Sequence, residues 1–372
     1  MLVGVPKEIK DNEYRVGLVP STVRELTSAG HAVIVEKDAG IGAGLADSDY
    51  ETAGAEIVAD ADAVYDRAEL IVKVKEPLAV ERKKLKRGQV LFTYLHLAAD
   101  RAQTEDLLAS GVTAIAYETV TSPHGTLPLL TPMSEVAGRM APHVGAHYLE
   151  KENGGRGVLL GGVPGVPPAD VVILGGGVAG TNAAFIAAGI GADVTVVDRN
   201  PEALRRIAAQ FGSRVGTLFS TRDVIETVCR RADLVIGTVL VPGATAPKLI
   251  SAATVRAMKP GSVIVDVAID QGGCAETSRA TTHSKPTYTV DDVVHYCVTN
   301  MPGAVARTST FALSNVTTPF ILALAEKGLR RALAEDPHLR NGLNIHEGRV
   351  TYRAVAQALK LKYTAPQEAL QI

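Results

Sequence analysis

The sequence predicts an α/β protein of two domains, each a largely parallel sheet covered by helices. Three observations predict it. At 372 residues the chain exceeds the usual size of one domain. Up to Tyr117, short apolar runs alternate with helix-patterned stretches, which implies parallel strands joined by crossovers. From Asp170 onward the apolar runs become near-continuous Val, Ile and Leu, as in strands covered on both faces.

Taken in order, residues 2–5, 32–35, 70–74, 90–94 and 113–117 read as strands, rich in Val and Ile and bounded by Gly or charge. Residues 21–29 pattern as a helix, with Ser21 placed to cap it and Gly30 to end it. Residues 133–150 read as one long helix. Ala137, Met140, Ala141, Val144 and Tyr148 recur at helical spacing, and Pro142 is expected to kink it. Gly154-Gly155-Arg156-Gly157 and Gly161-Gly162-Val163-Pro164-Gly165-Val166-Pro167-Pro168 then mark an ordered loop or hinge. A second set of strands follows at residues 171–174, 194–197, 215–219, 234–238 and 263–266. From about Thr308 the pattern turns helical again, through residues 329–333 and 352–359, and these terminal helices are placed to pack back onto the first domain.

Composition excludes several function classes. A net charge of −2 gives no electrostatic reason for binding nucleic acid or an anionic membrane. With 10 Tyr, 6 Phe and no Trp, base-stacking platforms are not favoured either. Cys229, Cys274 and Cys297 have neither metal-ligand spacing nor a CxxC pair, so no metal site, no disulfide frame and a reducing compartment are expected. The opening Met1-Leu2-Val3-Gly4-Val5-Pro6-Lys7-Glu8 reaches charge and proline too early for a signal peptide. The uncharged run at residues 171–192 is long enough to span a bilayer. Its glycines, Thr181 and Asn182, and the lack of a flanking aromatic belt, favour a buried strand and helix instead. A soluble, cytoplasmic protein is expected.

That same run carries the sharpest motif. In Val171-Val172-Ile173-Leu174-Gly175-Gly176-Gly177-Val178-Ala179-Gly180 the glycines fall at G-x-G-x-x-G spacing, after a strand and opening an Ala-rich helix. The demands on them differ: a tight turn at Gly175, backbone approach to a pyrophosphate at Gly177, and close helix–strand packing at Gly180. The helix start at Val178 and Ala179 offers N–H groups and the positive dipole end to phosphate. A lone G-x-G-x-x-G is weak, but here a second strand ends in Asp198, about 20 residues on, as the dinucleotide fingerprint requires. Asp198 is expected to accept hydrogen bonds from the ribose hydroxyls and to repel a 2′-phosphate, which makes NAD the expected cofactor, with Arg199 next to it.

Hydride chemistry on such a cofactor needs a substrate anchor and a proton-transfer group. Arg15 in Glu13-Tyr14-Arg15-Val16-Gly17, Lys75 after Ile71-Val72-Lys73-Val74, and His96 after Phe92-Thr93-Tyr94 supply two cations and an imidazole. Lys75 and His96 emerge at strand ends, where ligands of open α/β sheets gather. Singly, each has a structural explanation: a surface arginine, an exposed pair with Glu76, a core histidine bonded to a carbonyl. Together they describe a pocket that binds a carboxylate and moves a proton. Asp270 lies just after a strand, in Asp266-Val267-Ala268-Ile269-Asp270-Gln271-Gly272-Gly273, where it is either a site residue or a loop-stabilising aspartate. Asn300, in Asn300-Met301-Pro302-Gly303-Ala304, is a candidate for substrate contact from a similar loop, and the three cysteines read as core packing.

Several strings together resemble the alanine dehydrogenase family. They are Gly4-Val5-Pro6-Lys7-Glu8-Ile9-Lys10, Glu13-Tyr14-Arg15-Val16, Val72-Lys73-Val74-Lys75-Glu76-Pro77, Thr93-Tyr94-Leu95-His96-Leu97 and Pro132-Met133-Ser134-Glu135-Val136-Ala137-Gly138-Arg139. The glycine segment, the Asp266 to Gly273 stretch and Asn300-Met301-Pro302-Gly303 match as well, so the resemblance runs nearly end to end in the family's order. The nicotinamide-domain subunit of proton-translocating transhydrogenases shares the opening and glycine motifs. His96 in its Tyr94-Leu95-His96-Leu97 setting, and the lack of membrane segments, favour the dehydrogenase over that subunit; alanine-dependent NADH formation separates it from both that subunit and a silent NAD sensor on the same fold.

The resemblance implies reversible NAD-dependent oxidative deamination of L-alanine to pyruvate and ammonium. It matches Arg15 and Lys75 to the residues holding the substrate's carboxylate and carbonyl. His96 matches the acid–base residue, and Asp270 a second catalytic group acting through water and the carbinolamine. Around the cofactor it implies Ser134, Ser220, Val239, Leu240, Val267, Ile269, Asp270 and Met301. It also implies a discontinuous substrate domain of residues 1–130 plus 307–372, an NAD-binding domain of residues 131–306, and a homohexamer.

Overall fold

In the computed structural model, which describes residues 1–239 and 246–372, the Val- and Ile-rich runs form strands and the intervening segments form helices that cover them. The chain falls into two units, Met1–Met133 with Gly303–Ile372, and Ser134–Pro302. The first unit begins with β1 (Leu2–Val5), β2 (Ala32–Glu36), β3 (Glu56–Val58), β4 (Leu70–Val72), β5 (Val90–Thr93) and β6 (Thr113–Ala116). The second holds β7 (Asp170–Leu174), β8 (Asp193–Asp198), β9 (Val215–Phe219), β10 (Leu234–Gly237), β11 (Val263–Asp266), β12 (Thr287–Val290) and β13 (Val293–Tyr296). The chain then returns to the first unit for β14 (Leu343–His346) and β15 (Arg349–Val350).

The first sheet has the order β15-β14-β6-β5-β4-β1-β2-β3. β1 to β6 are mutually parallel, so the strand order reverses between β1 and β4 and opens a switch point beyond their carboxyl ends. The second sheet repeats this plan in the order β12-β13-β11-β10-β7-β8-β9. Only β12, paired to β13, runs antiparallel there, and the switch point lies between β7 and β10. Both predicted α/β sheets are therefore doubly wound, with one apolar core on each face. Along β7, Val171 and Ile173 enter one core and Val172 and Leu174 the other. Along β4, Leu70 and Val72 face one core and Ile71 the opposite one.

Several local expectations need correction. The first helix is Pro20–Ser28, capped by Val19 without a side-chain bond rather than by Ser21. Pro20 needs no N–H partner at the first helical position, which moves the start upstream of the serine. β4 ends at Val72; the Lys73 N–H still bonds the Phe92 carbonyl at 3.2 Å, and beyond it a carboxylate takes over, Glu8 Oε1 accepting from Val74 at 2.6 Å and Lys75 at 3.2 Å. The long helix spans Thr131–Tyr148 rather than residues 133–150, with Pro142 inside it.

The C-terminal segment is not purely helical, since β14 and β15 extend the first sheet antiparallel to β6. β14 escapes a hydrophobicity reading because its polar side chains are buried and satisfied. Asn344 donates to Thr119 Oγ1 at 2.7 Å, and His346 Nδ1 lies 2.9 Å from Thr113 Oγ1. The uncharged run at residues 171–192 resolves into β7 and the helix Val178–Ile190. Among the described residues one helix, Met301–Lys327, is long and apolar enough to cross a bilayer; its Leu313, Ile321 and Leu324 pack in the first unit's core.

Candidate active site

The first unit gathers its candidate residues beyond the carboxyl ends of β1, β4, β5 and β6. Arg15 is a core residue rather than a surface arginine, with a side chain only 1% exposed. Glu13 grips it bidentately, accepting from Nε and Nη2 at 2.6 Å each, while Nη1 lies 3.1 Å from Met133 Sδ. Burial would lower the guanidinium's pKa, but the Glu13 pair outweighs it and holds the pKa above its ordinary value.

Lys75 is half-buried, with its N–H on Glu8 Oε1 and its carbonyl accepting from Thr93 Oγ1 at 3.0 Å. Burial pushes the neighbouring Glu76 carboxyl up, but the charges of Lys75 and Lys10 prevail and hold it below the usual range. Beneath this segment lies a buried cluster. Lys73 Nζ donates to Glu8 at 3.0 Å and Glu81 at 2.7 Å, and Tyr65 adds a hydroxyl to Glu81 at 3.0 Å. Burial raises the Glu8 pKa against the pull of Lys73, and Lys73 stays cationic because the two carboxyl groups outweigh its own desolvation.

His96 is no core histidine. Its side chain is 49% exposed, and its backbone sits at φ 51° and ψ 37°, the left-handed region that costs a non-glycine residue of order 1–3 kcal/mol. Glu118 stabilises that conformation by accepting from the His96 N–H at 2.6 Å and the Leu95 N–H at 3.2 Å. The same carboxylate lies 3.9 Å from His96 Nδ1, and the imidazole stacks parallel to Tyr94 at 6.0 Å. Tyr94 is anchored by a 2.5 Å hydroxyl bond to the Leu129 carbonyl, and Tyr117 packs edge-on against it. An exposed imidazole on strained backbone, braced by a carboxylate and an aromatic ring, can exchange protons with a ligand.

In the second unit the parallel strands bring the cofactor candidates to one edge of the sheet. Gly175 takes φ 109°, and a Cβ there would lie 2.9 Å from Thr238 Oγ1. At Gly180 a Cβ would stand 1.8 Å from the Gly175 carbonyl oxygen, so only glycine permits the helix to approach β7. At Gly177 a Cβ would meet nothing within 4 Å. That space opens over the N-terminus of the helix Val178–Ile190, which no side chain of Gly177 can cap. Asp198 ends β8 and is fastened to the turn: Oδ2 accepts from Gly176 N and Oδ1 from Asn200 N, both at 2.6 Å.

Ser220 follows β9, its N–H on the Asp198 carbonyl at 3.0 Å, and Val239 follows β10. Leu240 lies outside the described residues. Val267, Ile269 and Asp270 share the turn Val267–Gln271 after β11, with Ile269 buried and Asp270 exposed. Asp270 Oδ1 accepts from Asn300 N at 3.3 Å; Asn300 itself sits at φ 57°. Met301 is buried beside it, and Ser134 is half-buried on the helix Thr131–Tyr148. The three cysteines are buried. An open cradle, an uncapped helix start and an acidic strand end fit a nicotinamide dinucleotide.

Sequence reasoning missed the residues that hold these groups. Thr238 bridges the glycine turn, its hydroxyl shared between the Leu174 and Gly175 carbonyls at 3.0 and 2.9 Å. Asp266 caps the turn that carries Asp270. Only Lys73 left a plain signal, a charge inside an otherwise apolar strand run.

The family described as alanine dehydrogenase/PNT matches twice, its N-terminal domain over residues 4–137 and its C-terminal domain over residues 141–353. An alanine dehydrogenase of Halomonas elongata is 60% identical over 363 residues, 98% of each chain. A solved L-alanine dehydrogenase superposes with a TM-score of 0.94 at 56% identity, over 97% of this chain and 99% of the other. A transhydrogenase of Sinorhizobium meliloti is more distant, with a TM-score of 0.81 at 27% identity over 95% and 100%.

Proposed function

The chain belongs to the alanine dehydrogenase/PNT family, and from that premise we propose that it interconverts L-alanine with pyruvate and ammonium using NAD. It is an amino-acid dehydrogenase with a nicotinamide cofactor. The observation that carries the reading beyond nucleotide binding is His96, an exposed imidazole held on strained backbone by Glu118. Identities of 56–60% to dehydrogenases, against 27% to a transhydrogenase, leave the second reading without a supporting observation.

Gly175, Gly177 and Gly180 with the helix start at Val178 and Ala179 hold the pyrophosphate, and Asp198 reads the adenosine ribose. Ser134, Ser220, Val239, Val267, Ile269 and Met301 line the remainder of the cofactor. Bound there, NAD supplies the acceptor for the hydride that leaves the alanine Cα. Arg15 and Lys75 bind the carboxylate and the developing carbonyl, because a guanidinium fixed by Glu13 and a half-buried ammonium give directional and compact positive charge. Asn300 completes the substrate contacts.

Hydride loss from Cα and proton loss from the amine give an imine. Water then adds to the C=N carbon, and the carbinolamine expels ammonia to leave pyruvate. His96 takes and returns the protons of these steps, since an imidazole carries both a donor and an acceptor nitrogen. Asp270 directs the water through its carboxylate.

The enzyme works as a homo-oligomer, a hexamer by family likeness, in the cytoplasm. Leu159, Val163, Val166, Phe185 and Ile190, all exposed in the second unit, support association. Purified protein should form NADH from L-alanine and consume it with pyruvate plus ammonium, strongly preferring NAD over NADP. Absence of both activities refutes the reading.

A further inference from the structure

One buried side chain closes the segment that carries Asp270. Asp266, the last residue of β11, is fully buried. Its Oδ1 accepts the Ala268 N–H at 3.1 Å, and its Oδ2 accepts the Cys274 N–H at 2.8 Å and the Ser278 hydroxyl at 2.5 Å. A single carboxyl group thus ties down both the entry and the exit of the segment. The packing around it leaves little slack. A Cβ on Gly273, which sits at φ 79°, would lie 2.6 Å from Asp266 Oδ2, and one on Gly237 would lie 2.2 Å from Cys274 Sγ. Asp270 stands between the tied ends, exposed, with Oδ1 toward Asn300 N.

We propose that Asp266 is the positioning residue for Asp270: by pinning Ala268, Cys274 and Ser278 it sets where the Asp270 carboxylate stands. This rests on Asp270 being a catalytic group. The chemistry of the site favours a carboxylate over its amide. The four lone-pair directions of a carboxylate suit three converging donors, whereas an asparagine would aim its own N–H bonds at one side of the set. Whichever way that amide turns, at least one buried N–H loses its acceptor, and the segment is released at one end. Asp266 touches no substrate in this account; it acts only through the segment.

The test is a double-mutant cycle in the full-length enzyme, reading kcat and KM for alanine together. Asp266→Asn should lower kcat about 10- to 100-fold, the scale of a misplacement near 1 Å, with a smaller change in KM. In an Asp270→Asn background the same substitution should cost little more, because the group it positions is already gone. Unchanged kcat in Asp266→Asn, or losses that simply multiply in the double variant, would overturn the proposal. If Asp266→Asn does not fold, Ser278→Ala decides, since it removes one donor and leaves the carboxylate. A fall in kcat that vanishes in the Asp270→Asn background supports positioning, and a wild-type kcat refutes it. Should Asp270→Asn itself keep full kcat, the catalytic reading of Asp270 fails, and the positioning proposal falls with it by a distinguishable route.

Discussion

Asp198 has an observed role in local structure beside the ligand role proposed for it. Each of its oxygens already accepts one backbone N–H, from Gly176 and from Asn200, so the carboxylate is oriented before any nucleotide arrives. Its remaining lone pairs are what the ribose hydroxyls would use. Asp198→Gly should therefore lose NAD discrimination and gain activity with NADP; an unchanged ratio of kcat/KM for the two cofactors contradicts this assignment. Candidates such as Asp198, Arg15 and His96 stand out in sequence because their chemical type and their place at a strand end or loop coincide. Glu118 is not, since its effect passes through the backbone of His96, 22 positions away, and no pattern announces a left-handed histidine. Glu13 hides in plain view two residues before Arg15. Its bidentate grip depends on burial that a string of letters does not display.

At the scale of elements, the glycine turn separates folding from binding. Gly180→Ala would place a methyl 1.8 Å from the Gly175 carbonyl oxygen, so the helix Val178–Ile190 must shift and thermal stability should fall. Gly177→Ala meets nothing within 4 Å and should fold as the parent does, yet weaken NADH binding by filling the space a pyrophosphate needs. Fluorescence titration with NADH beside thermal melts checks both. Equal loss of stability in the two variants would refute the distinction. The strands flanking this turn were readable because Val and Ile runs between glycines permit little else. β14 was not, as its Asn344 and His346 look solvent-facing until Thr119 and Thr113 are seen to satisfy them. β12 and β13 were missed for a related reason, a hairpin whose outer strand is half exposed.

Over the whole molecule, each unit contains a buried histidine that ties its stability to pH. Burial lowers the pKa of His295 in the second unit and of His346 in the first below 6.5. His295 is held as a neutral ring, with Nδ1 2.9 Å from the Val293 carbonyl and Nε2 2.8 Å from Thr277 Oγ1. The unfolded chain takes up these protons near pH 6.5 and the folded chain only lower, so stability should decline as pH falls through that value. Urea midpoints measured across it check this, and the variant carrying His295→Asn and His346→Asn should show a flatter profile; a parent profile that is already flat contradicts it.

The proposed function assigns the nucleotide cradle to the glycine turn of the second unit and proton transfer to His96 of the first. His96→Ala tests that division most directly, with NADH affinity and kcat for alanine measured on the same preparation. The expected result is a kcat lowered about 100-fold or more with NADH binding intact. Retained kcat, or lost NADH binding, would contradict it.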